Sequence, residues 1–180
     1  MHGKTVRLNV CRKRVRIEMD KQIINHMKLS FLADEKHFIP TIAQWYFEEW
    51  AHLTQGISLE DIEIKVAKMA ESRSSLPISF VLHDGNELLA VAELKFHEHA
   101  DFPNYQYWLG GVFVPADKRG RGYSNIILAQ TLKHAHQLGI SSLYLQCETH
   151  NIGLYVKHEF EVVHKLNDKG IEKAIMVKVF

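Results

Sequence analysis

Arg119-Gly120-Arg121-Gly122-Tyr123-Ser124 lies where an extended stretch ends and a helical pattern begins. At the start of a helix the first backbone N–H groups are unpaired and the dipole presents its positive end, a combination that suits phosphate. Gly120 and Gly122 let the backbone approach an anion with no Cβ in the way. Lys118, Arg119 and Arg121 add positive charge at the same joint. These residue types point to a phosphate-bearing ligand, and the blander reading is a glycine-rich turn with solvated basic side chains. A nucleotide-triphosphate loop needs Gly-x-x-x-x-Gly-Lys-Ser/Thr, which is absent. A dinucleotide-binding domain is a closer rival, since Gly120-x-Gly122 opens a helix and Glu148 ends the next strand. Against it, Asn125 replaces the third glycine, the first glycine comes five residues after Pro115, and the preceding unit reads as an antiparallel hairpin.

A second residue invites chemistry. Glu93 sits inside an apolar strand, where an unpaired carboxylate is costly. The alternation Val91-Glu93-Lys95 also allows a solvent-facing side of the sheet. Glu98, His97 and Asp101 follow in the loop just beyond.

The elements that must position these groups follow from periodicity. Leu29 to Leu32 reads as a first strand. Pro40 suits the first turn of a helix in which Ile42, Trp45, Tyr46, Trp50 and Leu53 recur at helical spacing until Gly56. Ser58 caps a second helix with Leu59, Ile62, Val66 and Met69 on one stripe. Ile78, Phe80 and Leu82 then alternate with Ser79, Val81 and His83. The turn His83-Asp84-Gly85-Asn86 joins them to a strand from Leu88 to Phe96. Tyr107 to Val114 forms the next strand, and Gly110-Gly111 inside it marks a bulge or a close backbone approach. A helix from Tyr123 to Leu138 stops at Gly139, Ser142 to Cys147 is a strand, and Asn151 to His158 a short helix. Phe160 to Leu166 and Lys173 to Phe180 close the chain as a hairpin across Asn167-Asp168-Lys169-Gly170. This order predicts an α/β (α+β) domain: a mixed, largely antiparallel central sheet with helices on both faces.

Val112-Phe113-Val114-Pro115 followed by Lys118 to Ser124 resembles the acetyl-CoA motif of the GNAT N-acetyltransferases, Arg/Gln-x-x-Gly-x-Gly/Ala, with Ser124 in the last place. Leu154-Tyr155-Val156-Lys157-His158-Glu159-Phe160 is similar to the family's closing segment, with Glu159 where a glycine is usual. The resemblance covers about Leu29 to Phe180 and is strongest from Leu109 to Phe160. It implies a GNAT-like acyl-CoA N-acyltransferase fold and acetyl-CoA as co-substrate, with no metal. Backbone amides of Arg119, Gly120, Arg121, Gly122, Tyr123 and Ser124 would hold the pyrophosphate, and Val112, Phe113 and Val114 would pair with the pantetheine arm. Asn151 stands near the place of a family asparagine that bonds that arm, at a shorter spacing from Tyr155. Tyr155 takes the position of the general acid; the competing reading is a core tyrosine with a solvent-touching hydroxyl. Glu148 and Glu93 are the candidates for the base. The two N-terminal helices and last hairpin would line the acceptor site. There Trp45 and Trp50 read as core, and Glu48 and Glu49 as a wet face. The acceptor, a small-molecule or peptide amine, stays open.

With 180 residues, 46% hydrophobic and 24% charged, the composition is that of one ordinary globular domain. No apolar run reaches the roughly 18–20 residues of a membrane span. Two cysteines, Cys11 and Cys147, suggest neither a disulfide framework nor a zinc site. A cytoplasmic protein is the expectation, with no membrane partner and a homodimer left open. The twelve histidines show no metal-helix spacing and read mostly as surface residues. The net charge of +1 gives no general case for nucleic acid. Its basic residues crowd the start, however: Lys4, Arg7, Arg12, Lys13, Arg14, Arg16 and Lys21. Residues 1–28 are therefore expected to be a basic extension ahead of the domain 29–180, with Met27 a candidate start. A basic arm that binds nucleic acid and an acyl-CoA sensor without catalysis are the alternatives from other classes.

Overall fold

A computed structural model describes residues 26–168 and 170–180 of the chain. The basic segment from Lys4 to Lys21 therefore lies outside the described residues. The first strand, β1, is Met27–Phe31, two residues ahead of expectation, with Leu29 exposed and Leu32 buried just past its end. Helix α1 (Ile39–Trp50) carries Pro40 in its first turn and buries Ile42, Ala43 and Tyr46. It ends at Trp50, and only a single 3-10 turn, Ala51–Leu53, continues toward Gly56. Helix α2 (Leu59–Lys68) begins on a capping box: Asp61 N–H donates to Ser58 Oγ at 3.1 Å, and Ser58 N–H donates to Asp61 Oδ2 at 2.9 Å. A cap of this kind contributes about 1 kcal/mol.

Strands β2 (Ile78–Asp84) and β3 (Glu87–Phe96) form the expected hairpin. In β2 both sets of alternating residues are buried, from Ile78 through His83. Helices cover both sides of this strand, so neither face is left to water. Among the described histidines, read mostly as surface groups, His83 is the buried exception. It shares contacts with Ser30 Oγ at 3.0 Å and the Gly85 carbonyl at 2.8 Å. The remaining elements are β4 (Tyr107–Phe113), α3 (Tyr123–Gln137), β5 (Ser142–Glu148), α4 (Ile152–Val156), β6 (Glu161–Asp168) and β7 (Ile171–Val179).

The strands form one sheet in the order β1-β2-β3-β4-β5-β7-β6, and every pair but β4–β5 is antiparallel. A dinucleotide fold needs a run of parallel strands, so that rival is not met. One apolar cluster packs α3 and Tyr155 of α4 against β2, β3, β4, β5 and β7, around Phe80, Leu94, Ile127, Leu128 and Leu145. A second packs α1 and α2 on the opposite face around Ile42, Tyr46, Val66, Val81 and Val91. The helices thus lie on both faces, as the pattern predicted.

Candidate active site

The centre of the sheet is where the ladder fails. Between Val91↔Phe113 and Glu93↔Gly110, β4 has two residues, Gly111 and Val112, against one, Ala92. That extra residue is a bulge. Gly111 holds φ 55°, and a Cβ there would meet the Tyr46 hydroxyl and the Glu93 carboxylate. Gly110 is crowded as well, by Lys95 and Glu98. On its other side β4 pairs with β5 only at Trp108↔Tyr144 and Leu109↔Leu145. Beyond that point β5 continues through Gln146, Cys147 and Glu148 in register with β7 alone. The sheet is parted at its middle, beside the bulge.

Two cavities meet at this opening. The first, about 410 Å³, lies between the bulge and the end of α1 with α2, and is lined by Glu93, Lys95, Glu98 and Gly111 on the sheet side and by Tyr46 of α1. The second, about 390 Å³, runs along Val112-Phe113-Val114 to Arg119, Gly120, Gly122 and Ser124 at the start of α3. Trp50, Val112, Glu148, Asn151 and Tyr155 line both.

Helix α3 starts on Gly122 as its N-cap, in the left-handed conformation at φ 82°, and no side chain caps it. Gly120 is also left-handed, at φ 78°. A Cβ at either position would meet open space, so the demand for glycine here comes from the backbone conformation. The basic side chains divide. Arg119 lines the second cavity, donates from Nε to the Val114 carbonyl at 3.0 Å and stands 6.0 Å over the Phe113 ring. Lys118 is tied to Glu87. Arg121 is exposed, its guanidinium reaches the Asp117 carbonyl at 3.4 Å and it does not line the cavity, so what it could offer the cradle is its backbone amide. Tyr123 lines the cavity from a ring buried in the core.

Glu93 turns inward. Its burial settles the question left by strand alternation, because α1 covers this side of β3 and brings Tyr46 against it. Lys95 Nζ lies 3.6 Å from Glu93 Oε2 and 3.2 Å from Glu98 Oε2. Glu98 sits on exposed backbone but folds its carboxylate into the cavity, leaving its side chain 26% exposed. Burial holds the Glu98 carboxyl above its ordinary range, against the pull of Lys95. For Lys95 itself burial opposes the charge, but Glu98 and then Glu93 outweigh it and hold the ammonium above its usual value. The Tyr46 hydroxyl donates to the Gly111 carbonyl at 2.7 Å, and burial, followed by the charge of Glu93, raises its pKa well above normal. Glu148, half-exposed, pairs with His150 at 3.5 Å.

Tyr155 is buried on α4, its ring edge-on to Phe160 at a centroid distance of 6.1 Å. Burial above all, then Cys147 and Glu98, pushes its hydroxyl pKa far up. Cys147 beside it is free and buried, its thiol pushed up to about 11 by burial and by Glu148. The turn after α4 fixes this region: Phe160 N–H bonds the Tyr155 carbonyl at 3.2 Å and Glu159 N–H bonds that of Val156 at 3.0 Å. This is the Schellman pattern, and it places Glu159 at φ 64°, a conformation that favours glycine. Lys95 and Glu98 had drawn no assigned role, since a charged pair at a strand end looks like any solvated pair until the tertiary structure folds it inward. Trp50 is only partly buried, because its ring faces the opening.

A mixed sheet parted beside a bulge, with an uncapped helix N-terminus at one end of the gap, defines the acyl-CoA N-acyltransferase fold. Residues 37–160 match the Acetyltransferase (GNAT) family, and the chain belongs to it as an acyltransferase. Among solved structures it is similar to yncA of Salmonella typhimurium, which holds its cofactor acetyl-CoA. That match has a TM-score of 0.69 at 17% identity, over 86% of this chain and 94% of the other. An N-acetyltransferase of Staphylococcus aureus matches at TM-score 0.67 and 15% identity, over 85% and 98%. The spermidine/spermine N-acetyltransferase SpeG of Vibrio cholerae matches at 0.62 and 16%, over 85% and 94%. No curated protein matches the chain. Among the described residues, no helix is long and apolar enough to cross a membrane.

Proposed function

We propose that the chain is an N-acetyltransferase that moves an acetyl group from acetyl-CoA to a primary amine by direct attack in a ternary complex. The observation that carries this reading is the meeting of two cavities along one shared wall, with Tyr155 in that wall. One cavity suits the co-substrate. Its far end offers the uncapped start of α3 on left-handed glycines, with Arg119 alongside, which fits a pyrophosphate. Its near end offers Val112 to Val114, whose β5 side has no strand partner, to an extended pantetheine arm. Asn151 lines the same stretch.

Bound acetyl-CoA supplies an activated thioester. In the proposed reaction the amine nitrogen forms a bond to the carbonyl carbon and the carbon–sulfur bond breaks. Backbone N–H groups at the β4 bulge serve the carbonyl oxygen as it gains charge. Tyr155 protonates the departing sulfur and regains a proton from the second N–H shed by the attacking nitrogen as the amide forms; its raised pKa keeps the donor proton on throughout the neutral range. Glu93, buried at the floor of the first cavity, takes the proton of the incoming ammonium directly or through water. Glu148 at the mouth is the rival for that task, and its half-exposed carboxylate is the less confined of the two.

Thiol release from acetyl-CoA across an amine panel tests the proposal. Tyr155→Phe is expected to lower kcat by roughly a hundredfold or more with little change in KM. An unchanged kcat removes Tyr155 from the acid role. In the wild type, the alkaline side of the kcat profile is expected to show no loss from Tyr155 in the ordinary tyrosine range. Its proton is held well above that range. Acetyl-CoA binding with no thiol released for any amine would instead favour a sensor.

A further inference from the structure

The first cavity has two unlike sides. On the sheet side, the two carboxyl groups of Glu93 and Glu98 converge on one ammonium, that of Lys95. On the helical side the wall is mainly apolar, Leu53, Ile57, Ile62, Val66 and Met69, with Thr54 and Lys65 also in the lining and the Trp50 ring where the cavities join. Leu53 is 36% exposed and Ile57 and Met69 are partly open, so apolar surface is presented with nothing packed on it. The lysines deep in the cavity are already engaged: Lys95 as above, and Lys173 with Asp168 at 2.7 Å. Lys65 stands exposed on α2.

We infer that the acceptor is a primary amine carried on an uncharged apolar body, of the arylalkylamine or alkylamine class. The inference rests on the acetyltransferase reading and adds the acceptor class. An ammonium entering this cavity meets the carboxyl groups of Glu93 and Glu98, which outnumber the one lysine between them, while its body covers the open apolar wall and the Trp50 ring. An α-amino acid would bring a carboxylate toward those same two glutamates, where the inner lysines are already paired. A polyamine would bring a second ammonium to the wall of Leu53, Ile57 and Met69, which also carries Lys65, with Glu148 as the one remaining carboxyl group of the lining. The volume, about 410 Å³, is that of a small-molecule site.

The test uses the full chain with saturating acetyl-CoA, whose binding is measured separately by calorimetry. kcat/KM is then compared for phenethylamine, spermidine and alanine. Phenethylamine is expected to exceed both others by roughly ten- to a hundredfold. Leu53→Glu, at a half-open site in a connector, is expected to lower the phenethylamine value and raise that of spermidine, narrowing the gap roughly tenfold. Preference for spermidine or alanine, or an unmoved ratio in Leu53→Glu, overturns the acceptor class while leaving acetyl transfer intact. Acetyl-CoA binding with no turnover of any of the three, or no binding, overturns the underlying reading and the acceptor class with it.

Discussion

Gly111 shows how much a single position on β4 has to satisfy. It is left-handed, it supplies the carbonyl that Tyr46 bonds, and the space a Cβ would need is held by Tyr46 and Glu93. Gly111→Ala is therefore expected to cost about 1–3 kcal/mol in denaturant unfolding and to depress acetyl transfer together with stability. An alanine variant of wild-type stability would show that the bulge relaxes freely. The sequence marks this place only as two glycines inside a strand. It holds no sign that the displaced space goes to Glu93, because that carboxylate comes from the neighbouring strand and the tyrosine from a helix far earlier in the chain. Glu93 is the same lesson in reverse. Alternation leaves two sides open to it, and the packing of α1 over β3 chooses the inner one.

Elements carry the binding surfaces. The start of α3 works through backbone shape, with Gly120 and Gly122 both left-handed and Arg121 turned away from the cavity. Gly122→Val, forced into that conformation, is expected to weaken acetyl-CoA binding more than Arg121→Ala does, as measured by calorimetry. The opposite order would count against a backbone cradle. The end of α4 holds a different tension. Glu159 takes the left-handed place of its Schellman turn with a side chain that disfavours it, and its carboxylate pairs with Lys178 at 2.5 Å. A surface pair of this kind contributes little. Glu159→Gly should thus raise Tm by about 2 °C in calorimetry, since relief of backbone strain slightly exceeds glycine's entropic cost. A fall in Tm would mean that the pair with Lys178 matters more than the turn. Helix limits were largely legible from local chemistry: Pro40, the Ser58 cap and Gly139 each act within one turn. The end of α1 was less so, because apolar spacing runs on to Leu53 after the backbone has tightened into a 3-10 turn.

At the scale of the molecule, the sheet is held across its centre by few contacts. β4 and β5 pair at only two positions, so the strands on either side of the opening depend on α3 and its apolar cluster for their alignment. A ligand that spans the opening adds contacts to both halves. Acetyl-CoA at a hundred times its Kd is expected to stabilise the fold by about 2.7 kcal/mol. For a chain of this size that raises Tm by about 5–10 °C. Scanning calorimetry with acetyl-CoA and with NAD checks this, and a shift with NAD alone would reverse the identity of the ligand.

The sequence by itself determined what depends on neighbours along the chain. These are the alternation of strands, the helix starts and stops, the glycines of the bulge and the phosphate-type turn from Arg119 to Ser124, together with their resemblance to one family. Such features act over a few residues, so their residue types suffice to reveal them. The tertiary structure alone decided which side chains share a space. It turned Arg121 outward and buried Glu93. It folded Lys95 and Glu98 into one charged cluster, and it set Trp50 and Tyr155 into the wall between two cavities. Those outcomes depend on helices crossing strands dozens of residues away, and no local pattern records that crossing.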